Sequence, residues 1–221
     1  MVLLWKAERD GSVFLLLHPV LPLLVAAATL LSCVGCFLVV GLPPGPVSAD
    51  GTRLSFISQG LRLHCGVGTV VLGTSAHFVA LTQYIVAAHI GRQDAALYVA
   101  LEILGWYMVL AYENTGLPLH LVGLATFLFS TQLLHRLISR HPMYRSDYYT
   151  RFNASAWLLA LVFSVALPLS EVLQDDREQA LATNVSVSLE YVLLCAFAAQ
   201  NLCMAHGLGR LESIHLVFES H

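Results

Sequence analysis

Five ionisable side chains stand inside stretches that are otherwise apolar: His77, Glu102, His120, Glu190 and His206. In lipid such groups cost several kcal/mol unless they are paired or wetted, so each is a functional candidate by default. Glu190 is followed by Tyr191 near one end of an apolar run. Glu113 and His120 flank a short turn that belongs at the same depth. A carboxylate beside an imidazole can orient it as a general base, which makes His120, Glu190 and Glu102 the candidate catalytic groups. The same residue types also anchor helices at the headgroup level, where it is wet, and residue type alone leaves both roles open. Glu102 serves either as a helix–helix hydrogen bond or as a lipid contact. His77 has the place of a histidine paired with a neighbouring helix, and His206 that of an interfacial one.

The elements that must hold these groups follow from composition. Of 221 residues, 57% are hydrophobic and 11% are Asp, Glu, Lys or Arg, less than half the charge of a soluble domain. The mean hydropathy is +0.72. These values exclude an ordinary water-soluble domain and a disordered chain, and a net charge of −3 argues against a nucleic-acid partner. Six apolar runs are long enough to span a bilayer: 13–42, 65–90, 95–112, 119–138, 156–173 and 185–207, the third and fifth being the shortest. Between them lie a Pro- and Gly-rich loop at 43–63, tight turns at 91–94 and 113–118, a basic and aromatic loop at 135–152 and an acidic loop at 174–184. The chain therefore reads as one all-α membrane domain over 1–221, a bundle of six transmembrane helices.

Charge sets the expected orientation. With the N-terminus in the cytosol, Lys6, Arg9, Arg92, Arg136, Arg140, Arg145, Arg151 and Arg210 face the cytosol, and only Arg53, Arg62 and Arg177 face away. That bias satisfies the positive-inside rule with both termini cytosolic. Asn184-Val185-Ser186, a glycosylation sequon, then falls on the lumenal side, and Asn153-Ala154-Ser155 on the cytosolic side.

Motifs of soluble enzymes are absent: there is no G-x-S-x-G, P-loop, H-E-x-x-H or paired C-x-x-C. Cys33 and Cys36 form a C-x-x-C within an apolar run, the place of small packing residues rather than of a redox pair. Ten histidines invite comparison with b-type haem proteins. A helix turns by about 100° per residue, so His64 and His77 point to different faces and the two-haem arrangement fails. No cofactor or metal is expected.

Several short motifs occur in a telling order: Arg9-Asp10-Gly11, Ser55-Phe56-Ile57-Ser58-Gln59-Gly60 in the first loop, Ser75-Ala76-His77-Phe78, Glu102, Val109-Leu110-Ala111-Tyr112 with Leu119-His120 after it, and Leu189-Glu190-Tyr191. Order, spacing and six-span topology together resemble the post-GPI-attachment to proteins factor two family, within the wider six-helix FRAG/DRAM/SFK group, over nearly the whole chain. The resemblance implies a multi-pass protein of the Golgi or endoplasmic reticulum membrane. It would serve reacylation of lyso-GPI-anchored proteins with a saturated fatty acid in the lumenal leaflet, as acyltransferase or essential accessory. Its partners would be the anchor lipid, an acyl donor, membrane lipids and proteins of the same pathway.

Glu102, His120 and Glu190 fall where similar proteins keep the same residue types. Glu113, Tyr191, His77, Ser58 and Asn201 are the implied substrate contacts. Similar proteins tend to have Arg at the position of His77 and His at that of Asn201, with His206 here more than a turn later; the first difference weakens phosphate binding and the second weakens catalysis. The alternatives are a non-enzymatic membrane organiser of the DRAM- or SFK-like type and a structural subunit of a membrane complex.

Overall fold

A backbone that runs through lipid must satisfy its N–H and C=O groups internally, and long apolar runs do so as helices. The computed structural model describes residues 5–7, 12–15, 20–41, 65–91, 95–110, 112–173, 175–210 and 214–217. Among them are six helices: α1 (Val20–Gly41), α2 (Cys65–His89), α3 (Ala95–Leu110), α4 (Tyr112–Arg140), α5 (Asp147–Val172) and α6 (Asp176–Leu208). The stretches Pro118–Arg140, Asp147–Leu169 and Arg177–Leu208 are long and apolar enough to cross a membrane, and shorter apolar helical stretches run over Pro22–Cys36, Ala76–Ala87 and Ala95–Val109. Leu158, Leu161, Val165, Leu169 and Val172 form an exposed apolar face on α5. Water would penalise such a face, and lipid accepts it.

Consecutive helices pack side by side, and α6 returns to α1, so the six form a ring. The α3–α4 pair is the tightest. A Cβ placed on Gly105 would lie 2.5 Å from the backbone N of Phe127, and one on Gly123 would collide with Met108. Small residues at these two positions let the backbones touch. One buried apolar cluster, with Leu134, Tyr149 and Met204, fills the basic end of the ring. A second, with Leu128, Phe163 and Val187, fills the acidic end.

The helices overrun the apolar runs. The 113–118 segment, expected as a turn, belongs to α4, although Pro118 supplies no N–H there. The basic loop at 135–152 shrinks to a turn over 141–146, because Ser146 accepts from the Tyr149 N–H and caps α5. The acidic loop at 174–184 is mostly the first turns of α6, started by Asp175, which accepts from the N–H groups of Arg177 and Glu178. Hydropathy marks where lipid begins, whereas the caps mark where the helix begins. The α2 helix does stop where expected, at Gly91, whose φ of +74° costs a glycine little.

The all-α expectation needs one correction. Three short strands, β1 (Trp5–Ala7), β2 (Ser12–Leu15) and β3 (Ile214–Val217), form an antiparallel sheet in the order β1-β2-β3. Ser12 pairs with Val217 and Leu15 with Ile214. The first apolar run therefore divides, since its opening residues pair as strand and its helix starts at Val20.

A ladder of amides ties the ring together at the basic end. Gln132 and Gln200 exchange hydrogen bonds at 3.1 and 3.0 Å, and Gln200 also donates to Asn153 Oδ1 at 2.9 Å. Gln83 donates to Asn201 Oδ1 at 3.1 Å and lies 3.2 Å from His135 Nε2, whose Nδ1 is 2.6 Å from the Tyr149 hydroxyl. Gln200→Leu would leave Gln132 and Asn153 short of partners at about 1–3 kcal/mol each. We expect a clear drop in melting temperature in detergent. Gly105→Val forces α3 off α4 and should cost about 1–3 kcal/mol by overpacking. A variant melting like the wild type would disprove that contact.

Candidate functional site

The i, i+3, i+4, i+7 rule decides which side chains share a helix face. On α1 it selects Thr29, Ser32, Cys33 and Cys36; on α3, Glu102, Trp106 and Val109; on α6, Glu190, Leu193, Leu194, Phe197, Ala198 and Asn201. These faces turn inward and, with Phe127 and Thr131 of α4, line a half-open cavity of about 160 Å³. A cavity of that size takes a small apolar ligand or several methylenes of a chain.

The cavity has a carboxyl at each end. Glu102 is 7% exposed, and its Oε2 has no hydrogen-bond partner. Thr131 faces it from α4. Glu190 is half-buried and lines the same cavity. The Gln132–Gln200 pair sets residues 131–132 of α4 level with residue 200 of α6, so Glu102 lies near the depth of Asn201. Ten to eleven residues of helix then separate that level from Glu190, about 15 Å along the axis. Between the two carboxyls the walls are Trp106, Phe127, Leu193, Leu194 and Phe197.

Three of the expected site residues, Glu102, Glu190 and Asn201, therefore share one cavity. The others lie elsewhere. His120 is buried outside the lining, its Nδ1 3.3 Å from the Val109 carbonyl oxygen. His77 packs on α3, with Nε2 3.1 Å from the Tyr107 hydroxyl. That is the pairing with a neighbouring helix expected of it. Tyr191 adjoins Glu190 but is not in the lining. Glu113 belongs to the first turn of α4; its side chain, like all of Ser58, lies outside the described residues. His206 is exposed and meets Arg210 at 2.9 Å, as an interfacial histidine does. Among the described residues no His, Cys, Asp and Glu groups converge on a metal-sized site.

The amide ladder escaped sequence reasoning. Its one signal was three glutamines, Gln83, Gln132 and Gln200, within apolar runs, and uncharged side chains draw less notice than ionisable ones. The sequon at Asn184 sits inside α6 with Ser186 fully buried. Cys33 and Cys36 are free thiols in the cavity wall. Comparison with family models, with curated proteins and with solved structures gives no match to this chain.

In the 141–146 turn, burial first and the charge of nearby His89 second hold the His141 imidazole below its ordinary value of 6.5. The unfolded chain therefore binds a proton that the folded one resists, and stability falls as pH drops through about 6.5. Going from about pH 7.5 to about 5.5 should lower the melting temperature, and His141→Gln should lessen that drop. An identical pH slope in the variant would refute the assignment.

Proposed function

We propose that the protein is a lipid-handling membrane protein that takes part of an acyl chain into the central slot. In line with its resemblance to the post-GPI-attachment factor, it would serve reacylation of lyso-GPI-anchored proteins in the Golgi or endoplasmic reticulum. One observation carries this reading: a slot with apolar walls and a carboxyl at either end, inside a bundle whose outer faces suit lipid. The apolar walls hold methylenes. Glu102, without a partner for Oε2, can accept a hydrogen bond from a lipid hydroxyl. Carboxyls separated by about 15 Å of helix do not act on one bond, and among the described residues the lining holds no imidazole. The slot thus favours an accessory that presents the lipid over the acyl-transfer catalyst itself.

A second reading, the non-enzymatic organiser, draws on His120, which is buried against Val109 instead of lining the slot. A rescue assay separates the two. The chain is expressed in cells lacking their own anchor-remodelling factor, and the lipid on a reporter protein is read by mass spectrometry. Wild type should restore the two-chain saturated anchor. Ala198→Phe, which fills the slot, should cut that product at least about five-fold at equal protein level. Wild type that reaches the Golgi and restores nothing leaves the organiser reading standing.

A further inference from the structure

The basic end of the bundle carries a second hollow, separate from the slot. It measures about 490 Å³ and lies where the last turns of α4, the 141–146 turn and the opening turns of α5 meet. Arg136 and Arg140 come from α4, Arg145 from the turn, and Asn153 and Trp157 from α5. All three arginines are exposed, and among the described residues no carboxylate pairs with any of them. Three guanidinium groups around one hollow repel each other, and an oxyanion relieves that repulsion while matching their fork of donors.

Two further observations specify the anion. The Trp157 indole N–H is buried without a hydrogen-bond partner, although Trp157 forms part of the wall. The Asn153 amide is held from behind by Gln200 at 2.9 Å, while its own N–H reaches Ser139 only at 3.4 Å. Donors are thus in surplus at this hollow. From Trp157 onward, α5 exposes Leu158, Leu161 and Val165. Guanidinium groups at one edge, an indole below them and an apolar helix face beyond reproduce the order of charge, glycerol and chain in a phospholipid.

We propose that this hollow binds the phosphate of an anionic membrane phospholipid, with its chains along the outer face of α5. The three arginines hold the phosphate, and Asn153 and Trp157 bound the floor of the hollow beneath it. The site is independent of the central slot and of the function assigned to it.

The test uses the full chain purified in detergent and native mass spectrometry with phosphatidic acid, phosphatidylcholine and inorganic phosphate. Phosphatidic acid should be held at least about ten-fold more tightly than phosphatidylcholine. Each arginine near a membrane surface contributes about five-fold, so Arg145→Gln should weaken binding about five-fold and the triple change of Arg136, Arg140 and Arg145 to Gln about a hundred-fold. Arg177→Gln, at the opposite end of the bundle, should change nothing. Arg145 lies outside the helices, so its single variant decides the matter if the triple one fails to fold. Equal retention of the two lipids, or undiminished phosphatidic acid on Arg145→Gln, overturns the proposal. So does displacement of the lipid by an equimolar amount of inorganic phosphate, which would assign the hollow to free phosphate.

Discussion

A carboxamide inside a lipid-embedded bundle has no water to fall back on, so it must find its partners on other helices. Gln200 does this twice over, bonding to Gln132 on α4 and to Asn153 on α5. Because each amide has a fixed length and direction, those bonds set the height of α4 against α6 as well as their distance. Apolar contacts between the same helices would tolerate a slide of one side chain past the next. Much of the rest follows from that register. It brings Thr131 and Glu102 level with Asn201 and places Glu190 at the other end of the slot. The Gly105–Gly123 crossing does the equivalent for α3, pressing its backbone against α4 so that Glu102 faces inward.

The ring thus has two polar regions of different character. At the basic end most of the buried amides answer one another, and the structure gains rigidity from them. In the slot the carboxyl of Glu102 keeps an oxygen without a partner, at a cost that packing alone does not explain. The ladder holds the walls in place, and the carboxyl of Glu102 is left to meet whatever enters between them.

Legibility from sequence differed by element. The six helical regions were plain because each long apolar run has one way to bury its backbone. Their starts were not, since α5 and α6 begin at Asp147 and Asp176 among polar residues that form helix readily once Ser146 and Asp175 cap them. Glu102 and Glu190 could be singled out because a carboxyl in lipid is conspicuous, and both line the slot. His120 lies outside the lining of the slot, because closeness in depth does not settle the direction in which a side chain points. The glutamine ladder was missed for want of charge. The sheet was hidden because Ser12–Leu15 continues into an apolar run, and its partner strand lies at the far end of the sequence.

That sheet constrains assembly in a way no single helix can. β2 leaves the ribosome early, but the strand it pairs with follows only after all six helices have been made. The two can meet only on the same side of any membrane the helices cross. With β3 on the other side, β2 would keep an open edge, a template on which other chains can pair. Closure of Ser12 on Val217 thus joins the two ends of the bundle only once the last helix has been made.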